Sequence, residues 1–221
     1  GTVVLMKKCD TFGFLALAAR EKVTNCMLVP VQYRRIMAHP DFETFDLSAI
    51  RIKYCTSAPF AAALKADILA RWPGGLIEIY GMTEGGCAFL LEAHKYPDKL
   101  HTVGQPAPGH IAKVIDEDLN ELPQGSVGEV VGRSPAMMTG YNNRQDATDA
   151  MKWWDAEGNL YYRHGDIGRF DEDGFLTLMD RAKDMIISGG FNIYPSDLEG
   201  VLAQHSGVVE CAVIGAPSEE W

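Results

Sequence analysis

No apolar run in the 221 residues approaches the roughly 18 needed to span a bilayer, so a helical membrane anchor is not expected. The stretch Phe12–Ala19 behind Lys7 and Lys8 imitates a signal peptide, but Asp10 interrupts it and a strand-like Thr2–Met6 precedes it. The expected compartment is the cytoplasm. Cysteine pairing is also missing. Cys9, Cys26, Cys55, Cys87 and Cys211 are odd in number and widely spaced, and none forms a C-x-x-C pair, which excludes a disulfide framework. An excess of basic charge is absent too. Lysine and arginine total 20 against 30 acidic residues, a net charge of −10. That balance excludes a general nucleic-acid or anionic-membrane binder, but not a small anion held by local donors. His39, His94, His101 and His110 have no metal-like spacing. What is present is a 47% hydrophobic, 23% charged composition, ordinary for a chain that buries a core.

Strand-like and helix-like segments alternate in the first part. Asp10 or Thr11 caps a predicted helix through about Lys22, and Cys26–Val31 and Arg51–Thr56 read as strands. Phe60, Leu64, Ile68 and Trp72 recur every four residues, one face of a helix that Pro73-Gly74-Gly75 ends before a strand at Leu76–Tyr80. This βαβαβ rhythm predicts an α/β fold with a parallel, helix-covered sheet. From Val103 the texture becomes short β pieces at Ile111–Asp116, Glu129–Val131, Leu160–Tyr162, Ile167–Phe170 and Phe175–Met179, as in an antiparallel sheet or small barrel. Asp171–Asp173 reads as a hairpin turn rather than a calcium loop. Trp153 and Trp154 read as packing residues. After Arg181–Asp184 come a strand at Met185–Ser188, a Gly189-Gly190 turn, a helix with Ser196 and Glu199 as a capping box, and a strand at Val208–Ile214. The expected divisions are 1–102, 103–182 and 183–221.

Three segments carry chemistry. Tyr80-Gly81-Met82-Thr83-Glu84-Gly85-Gly86 directly follows a strand, where parallel sheets place their ligands. Thr83 offers a hydroxyl to a phosphate oxygen, and Glu84 a hard oxygen for Mg2+. A plain strand-to-helix turn with a capping threonine reads the same residues equally well. Tyr162-Arg163-His164-Gly165-Asp166 ends in a carboxylate that could accept both hydroxyls of a ribose, or is a Gly-Asp turn between strands. Asp180-Arg181-Ala182-Lys183-Asp184 is a charge cluster at a change of texture, a domain junction or a solvated turn.

In order and spacing these segments resemble the adenylate-forming superfamily, and within it the acyl-CoA synthetases, over essentially the whole chain. Thr56-Ser57-Ala58-Pro59 is similar to the adenine-side loop, with Thr56 and Ser57 where glycines are more usual. Tyr80–Glu84 matches Y-G-x-T-E, and Gly128-Glu129-Val130 to Gly140-Tyr141 matches the G-E-[LV] to G-Y segment. Tyr162–Asp166 matches Y-R-T-G-D with His164 in place of threonine, and Arg181–Asp184 with Ser188–Glu199 matches the hinge and the loop after it.

The resemblance implies part of the large N-terminal domain (a parallel βαβ portion plus a β-barrel subdomain) followed by the start of a small α+β C-terminal domain. It implies an ATP-dependent ligase that forms an acyl-adenylate from a fatty or aromatic carboxylate and passes the acyl group to coenzyme A, with release of pyrophosphate and AMP. By that resemblance Thr83 and Glu84 are catalytic, Glu84 through Mg2+. Ser57, Ala58, Pro59, Tyr80, Gly81, Met82, Thr83, Asp166 and Arg181 bind the nucleotide. Lys183 is the hinge, Gly189 and Gly190 face coenzyme A, and Val31, Gly81, Gly85 and Cys87 line the acyl pocket. Cys87 reads as a small lining residue rather than a nucleophile, and His164 as either a tuning residue or a surface-turn histidine. His205 reads as a packing or boundary residue of the last helix.

The family's Ser/Thr/Gly-rich phosphate loop and its late C-terminal lysine do not occur between Gly1 and Trp221, so the chain is expected to be an internal piece that forms adenylate slowly or not at all. A homodimer is a general expectation only. Two rival readings are a carrier-protein-loading adenylation domain and a nucleotide-binding module that has lost catalysis.

Overall fold

A carboxylate sets the first element. Asp10 Oδ1 accepts the Gly13 N–H at 2.7 Å, and α1 (Thr11–Arg20) starts there. The computed structural model describes residues 1–188, 191–205, 207–208 and 211–216. It divides into two units. One is Gly1–Tyr80 with Phe89–Gln105, and the other is Gly81–Ala88 with the chain from Pro106 onward.

In the first unit β1 (Asn25–Leu28), α2 (Pro30–Met37), β2 (Ile52–Cys55), α3 (Ala62–Arg71) and β3 (Gly75–Tyr80) realise the expected alternation. The strands β1, β2 and β3 are neighbours in that order, in parallel register. Of the four residues of the predicted face, Ile68 is buried and Leu64 half-buried within α3, while the buried Phe60 and Trp72 flank the helix at its two ends. Phe14, Tyr33 and Phe42 set ring edges against Trp72 at centroid distances of 6.1, 5.8 and 5.7 Å. β4 (Phe89–Glu92) returns antiparallel to β3, because Gly81–Ala88 is too short to hold a crossover helix. The chain leaves this unit at β5 (Gln105–Pro106). Thr2–Met6 is not a strand; Val3 and Leu5 are exposed, and the segment pairs with no strand among the described residues.

Two buried lysines lock this unit. Lys53 Nζ donates to the carbonyls of Trp72, Pro73 and Gly74 at 3.1, 2.7 and 2.8 Å, closing the carboxyl end of α3 where no helical partner remains. Burial pushes its ammonium down to about 8. Lys65 Nζ donates to Glu78 Oε2 and, at 3.0 Å, to the Thr102 carbonyl. Burial raises the Glu78 carboxyl, and the Lys65 charge opposes that rise.

The second unit is an antiparallel sheet in the order β10-β9-β7-β6, with β8 also on β9. Its strands are β6 (Ile111–Ile115), β7 (Gly128–Arg133), β8 (Lys152–Trp154), β9 (Leu160–Phe170) and β10 (Leu176–Arg181), with α4 (Gln145–Ala150) before β8. Ile115, Val131, Trp153 and Tyr161 form a buried cluster, and Trp153 Nε1 donates to the Leu119 carbonyl at 2.9 Å. Trp154 is exposed, contrary to expectation, since successive strand residues face opposite sides. The acidic turn is the expected hairpin, with Asp171 Oδ1 accepting the N–H groups of Asp173 and Phe175. The pieces Leu160–Tyr162 and Ile167–Phe170 are one continuous strand, not two.

β11 (Ile186–Ser188) and β12 (Phe191–Ile193) pair antiparallel before α5 (Pro195–Leu202). The capping box does not form. Pro195 takes the first helical position, which needs no N–H, so Tyr194 is the cap and Ser196 lies inside the helix. The Ser196 hydroxyl donates to the Met179 carbonyl, and Glu199 Oε1 accepts the Val213 N–H at 2.8 Å. His205 lies beyond the helix end and is exposed. Of the expected strand Val208–Ile214, the described residues 208 and 211–214 are not in a strand.

Candidate functional site

In the first unit, the parallel pairing of β2 with β3 sets their carboxyl ends side by side. Ser57, Ala58 and Pro59 follow β2 and are exposed. Ser57 holds φ at +80°, a conformation that suits glycine and strains a serine. This is one of the two positions where the resemblance leads one to expect glycine. Tyr80 ends β3, half-buried, its ring 5.4 Å from that of Phe89 at 37°. Val31, on α2, is exposed.

The Gly81–Ala88 loop belongs to the second unit. It continues into a strand rather than a helix, which removes the capping-threonine reading of Thr83. Gly81 and Thr83 are exposed, and Met82 and Glu84 are half-buried. The loop is tied at successive positions. Tyr141 Oη donates to Glu84 Oε1 at 2.5 Å, and the Met138 N–H donates to the Glu84 carbonyl at 2.9 Å. Ser134 Oγ donates to the Gly85 carbonyl at 2.5 Å. Gly85 is required: its φ is +83°, and a Cβ there would strike the Ala136 carbonyl. Further along, the N–H of Cys87 donates to His164 Nε2 at 3.1 Å, and that of Ala88 to His110 Nδ1 at 2.9 Å.

His164, Gly165 and Asp166 lie in an irregularity of β9. Val131 of β7 pairs with Arg163 and Glu129 with Ile167, so β9 carries extra residues between them. Gly165 takes φ +70° inside this bulge, which is why the sequence there reads as a turn. The bulge leaves Asp166 directly opposite Arg181 in the β9–β10 ladder. Arg181 Nε lies 3.0 Å from Asp166 Oδ1, with the carboxylate side chain 13% exposed and the guanidinium side chain 59% exposed. Gly165 also accepts the Ala182 N–H at 2.9 Å through its carbonyl. Lys183 is exposed in a turn whose Asp184 and Met185 N–H groups fold back onto the Arg181 carbonyl at 3.0 and 3.2 Å. Gly189 and Gly190 lie outside the described residues.

Residues 1–142 match the family described as AMP-binding enzyme. The chain belongs to that family. Over its whole length it is 37% identical to a feruloyl-CoA synthase from Amycolatopsis, of which it covers 44%. Over 95% of its length it is 35% identical to a long-chain-fatty-acid–CoA ligase of Escherichia coli, of which it covers 36%. Among solved structures, it superposes on an amide bond synthetase from Marinactinospora thermotolerans with a TM-score of 0.87 and 34% identity, over 99% of this chain and 44% of that one. The chain thus spans less than half the length of these relatives. Its α/β architecture, with a mixed sheet and an antiparallel curled one, is the fold of the N-terminal domain of adenylate-forming enzymes.

The donors at Glu84 fit a magnesium ion shared with phosphate. Among the described residues no cluster of three or more His, Cys, Asp or Glu could cage a metal. Glu84 offers a single half-buried carboxylate beside the exposed Thr83 hydroxyl, the kind of site that binds Mg2+ together with substrate oxygens. Cys87 is buried, and burial pushes its thiol up to about 12, so it is inert as a nucleophile at neutral pH. Its Cβ packs against Gly132 of β7. His164 is 7% exposed, not a surface-turn residue, and burial lowers it to about 4, leaving the ring neutral at pH 7. The loop contacts of Ser134, Tyr141, His110 and His164 were invisible in the sequence, since each spans between 22 and 77 residues. Tyr141 had a signal as the end of the G-Y segment, and His164 one as the departure from threonine in the Tyr162–Asp166 motif.

Proposed function

We propose that the protein containing this chain is an AMP-forming acid–thiol ligase that activates a fatty or aromatic carboxylate. The observation that supports it most is the Thr83–Glu84 pair: an exposed hydroxyl beside a half-buried carboxylate, on a tethered loop at the carboxyl end of β3. A free carboxylate is a poor electrophile, so it is first converted to a mixed anhydride. A carboxylate oxygen attacks the α-phosphorus of ATP, and the bond to pyrophosphate breaks. The thiol sulfur of coenzyme A then attacks the acyl carbon, the bond to the AMP oxygen breaks, and the thiol proton is lost. Catalysis is mainly positioning and charge stabilisation at phosphorus.

In this reading Thr83 donates to a phosphate oxygen, and Gly81 and Met82 bring backbone close to the nucleotide. Asp166 accepts both ribose hydroxyls, and Arg181 reaches the ribose or phosphate. Tyr80 stacks on adenine, which Ser57, Ala58 and Pro59 line. Glu84 would hold Mg2+, which supplies charge neutralisation of the phosphates when bound. Lys183 serves as the pivot of the following domain, with Gly189 and Gly190 towards the thiol. Gly81 and Gly85, with Val31 and Cys87, border the acyl group. The likeness to an amide bond synthetase favours a second reading, in which an amine is the final acceptor.

A screen of fatty and aromatic acids on the full-length protein, read as pyrophosphate release, tests the first step. Release that depends on one of these acids is expected. ATP binding without release for any acid would establish the reading that catalysis has been lost. Offering coenzyme A, a phosphopantetheinyl carrier and an amine then decides the acceptor; transfer only to a carrier or an amine overturns the thiol-ligase assignment.

A further inference from the structure

Two adjacent backbone amides of the motif loop end on imidazole nitrogens from two different strands' neighbourhoods. The Cys87 N–H reaches His164 Nε2, in the bulge of β9, and the Ala88 N–H reaches His110 Nδ1, in the turn before β6. Each ring presents a lone pair there, at Nε2 of His164 and at Nδ1 of His110. The Ala88 carbonyl is held as well, by the Ala107 N–H at 2.8 Å. The space around His164 is shaped for a ring. A Cβ on Gly86 would come within 2.9 Å of Nε2, and one on Gly132 within 2.6 Å. Among the charged groups acting on His164 are Glu84 and Arg181.

We propose that His164 and His110 are positioning residues, a pair of imidazoles that clamp the far end of the Gly81–Ala88 loop and so fix where Thr83 and Glu84 stand. The loop runs out of β3 and into β4 at its two ends, and Glu84 and Gly85 are tied by Met138, Tyr141 and Ser134, which leaves Gly86–Ala88 to the two imidazoles. Without the clamp, the segment from Gly86 to Ala88 loses the acceptors of two backbone donors, and the Cys87 amide lies in a buried residue, where an unpaired N–H is costly. Asp166 lies two residues beyond His164 in the same bulge. One local distortion of β9 therefore sets both the ribose-binding carboxylate and the clamp. The catalytic half of the inference rests on the ligase reading; the clamp itself does not.

The test uses the full-length protein with His164→Leu, His164→Gln, His110→Ala and His110→Asn. Glutamine at 164 keeps an acceptor near the Nε2 position, and asparagine at 110 keeps one near Nδ1. The first readout is amide hydrogen exchange at Cys87 and Ala88, which needs no activity. Exchange at Cys87 should quicken by roughly tenfold or more in His164→Leu and return towards wild type in His164→Gln. Exchange at Ala88 should respond in the same way to His110→Ala and His110→Asn. The second readout is pyrophosphate release. His164→Leu should lower kcat by about 100-fold with a smaller change in KM for ATP, and His164→Gln should recover most of the loss. If His164→Leu does not fold, His164→Asn replaces it, being polar but too short to reach the Cys87 amide. Unchanged exchange in the leucine and alanine variants overturns the clamp. Faster exchange with unchanged kcat overturns its positioning role. A wild type that releases no pyrophosphate sinks the ligase reading, while the exchange measurement still decides the clamp.

Discussion

Asp166→Ala in the full-length protein is expected to lower kcat/KM for ATP by about three orders of magnitude. The magnitude follows from two hydrogen bonds to a charged acceptor at roughly 1.5–3 kcal/mol each, with about 1.4 kcal/mol per tenfold in rate. The geometry concentrates the effect. Asp166 is mostly buried in the bulge of β9, and its Oδ1 is 3.0 Å from Arg181 Nε. Removing the carboxylate takes away the partner of Arg181 and, on the proposed reading, the ribose acceptor as well. Asp166→Asn keeps the shape and one acceptor, so it should fall between the two. Steady-state pyrophosphate release at varied ATP measures both variants. Near-normal ATP kinetics for the alanine variant would show that the carboxylate holds only Arg181, not the sugar.

The second large effect is on stability. Lys65→Met should cost about 3–5 kcal/mol, because it strands the Glu78 carboxylate in the interior. Both side chains are buried, with 2% and 6% exposure, and Lys65 also satisfies the Thr102 carbonyl. The cost has a definite pH dependence. Burial raises the Glu78 carboxyl, and loss of Lys65 removes the charge that opposes this rise. The variant can therefore escape part of the penalty by protonating Glu78, and the gap to wild type should narrow as pH falls below neutrality. Adding Glu78→Gln should recover part of the loss at pH 7. Urea unfolding of the three proteins at two pH values checks this, and an equal deficit in the single and double variants would place the cost on the Thr102 carbonyl instead.

The sequence revealed local order far better than distant partners. The spacing of Phe60, Leu64, Ile68 and Trp72 announced α3, although only Leu64 and Ile68 fall within it and Phe60 and Trp72 bracket it. The motif at Tyr80–Glu84 was legible for the same reason: its residues are contiguous. By contrast, Gly165 suggested a turn between two strands, and only the pairing with β7 and β10 shows one bulged strand of 11 residues. The antiparallel return of β4 depends on what the short loop cannot contain. Thr2–Met6 has a strand-like pattern but no strand to pair with among the described residues. Ser196 and Glu199 fitted a cap by spacing, and Pro195 moved the helix start past them. His164 was ambiguous because its role depends on an amide 77 residues away and on the room left by Gly86 and Gly132.

The nucleotide assignment stands or falls on a crystal structure of the full-length protein with ATP and magnesium. The expected density places the ribose hydroxyls against the Asp166 carboxylate, the α-phosphate against the Thr83 hydroxyl, and the metal on Glu84, all around one nucleotide. A nucleotide bound elsewhere, with Thr83 and Asp166 touching no common ligand, would contradict it.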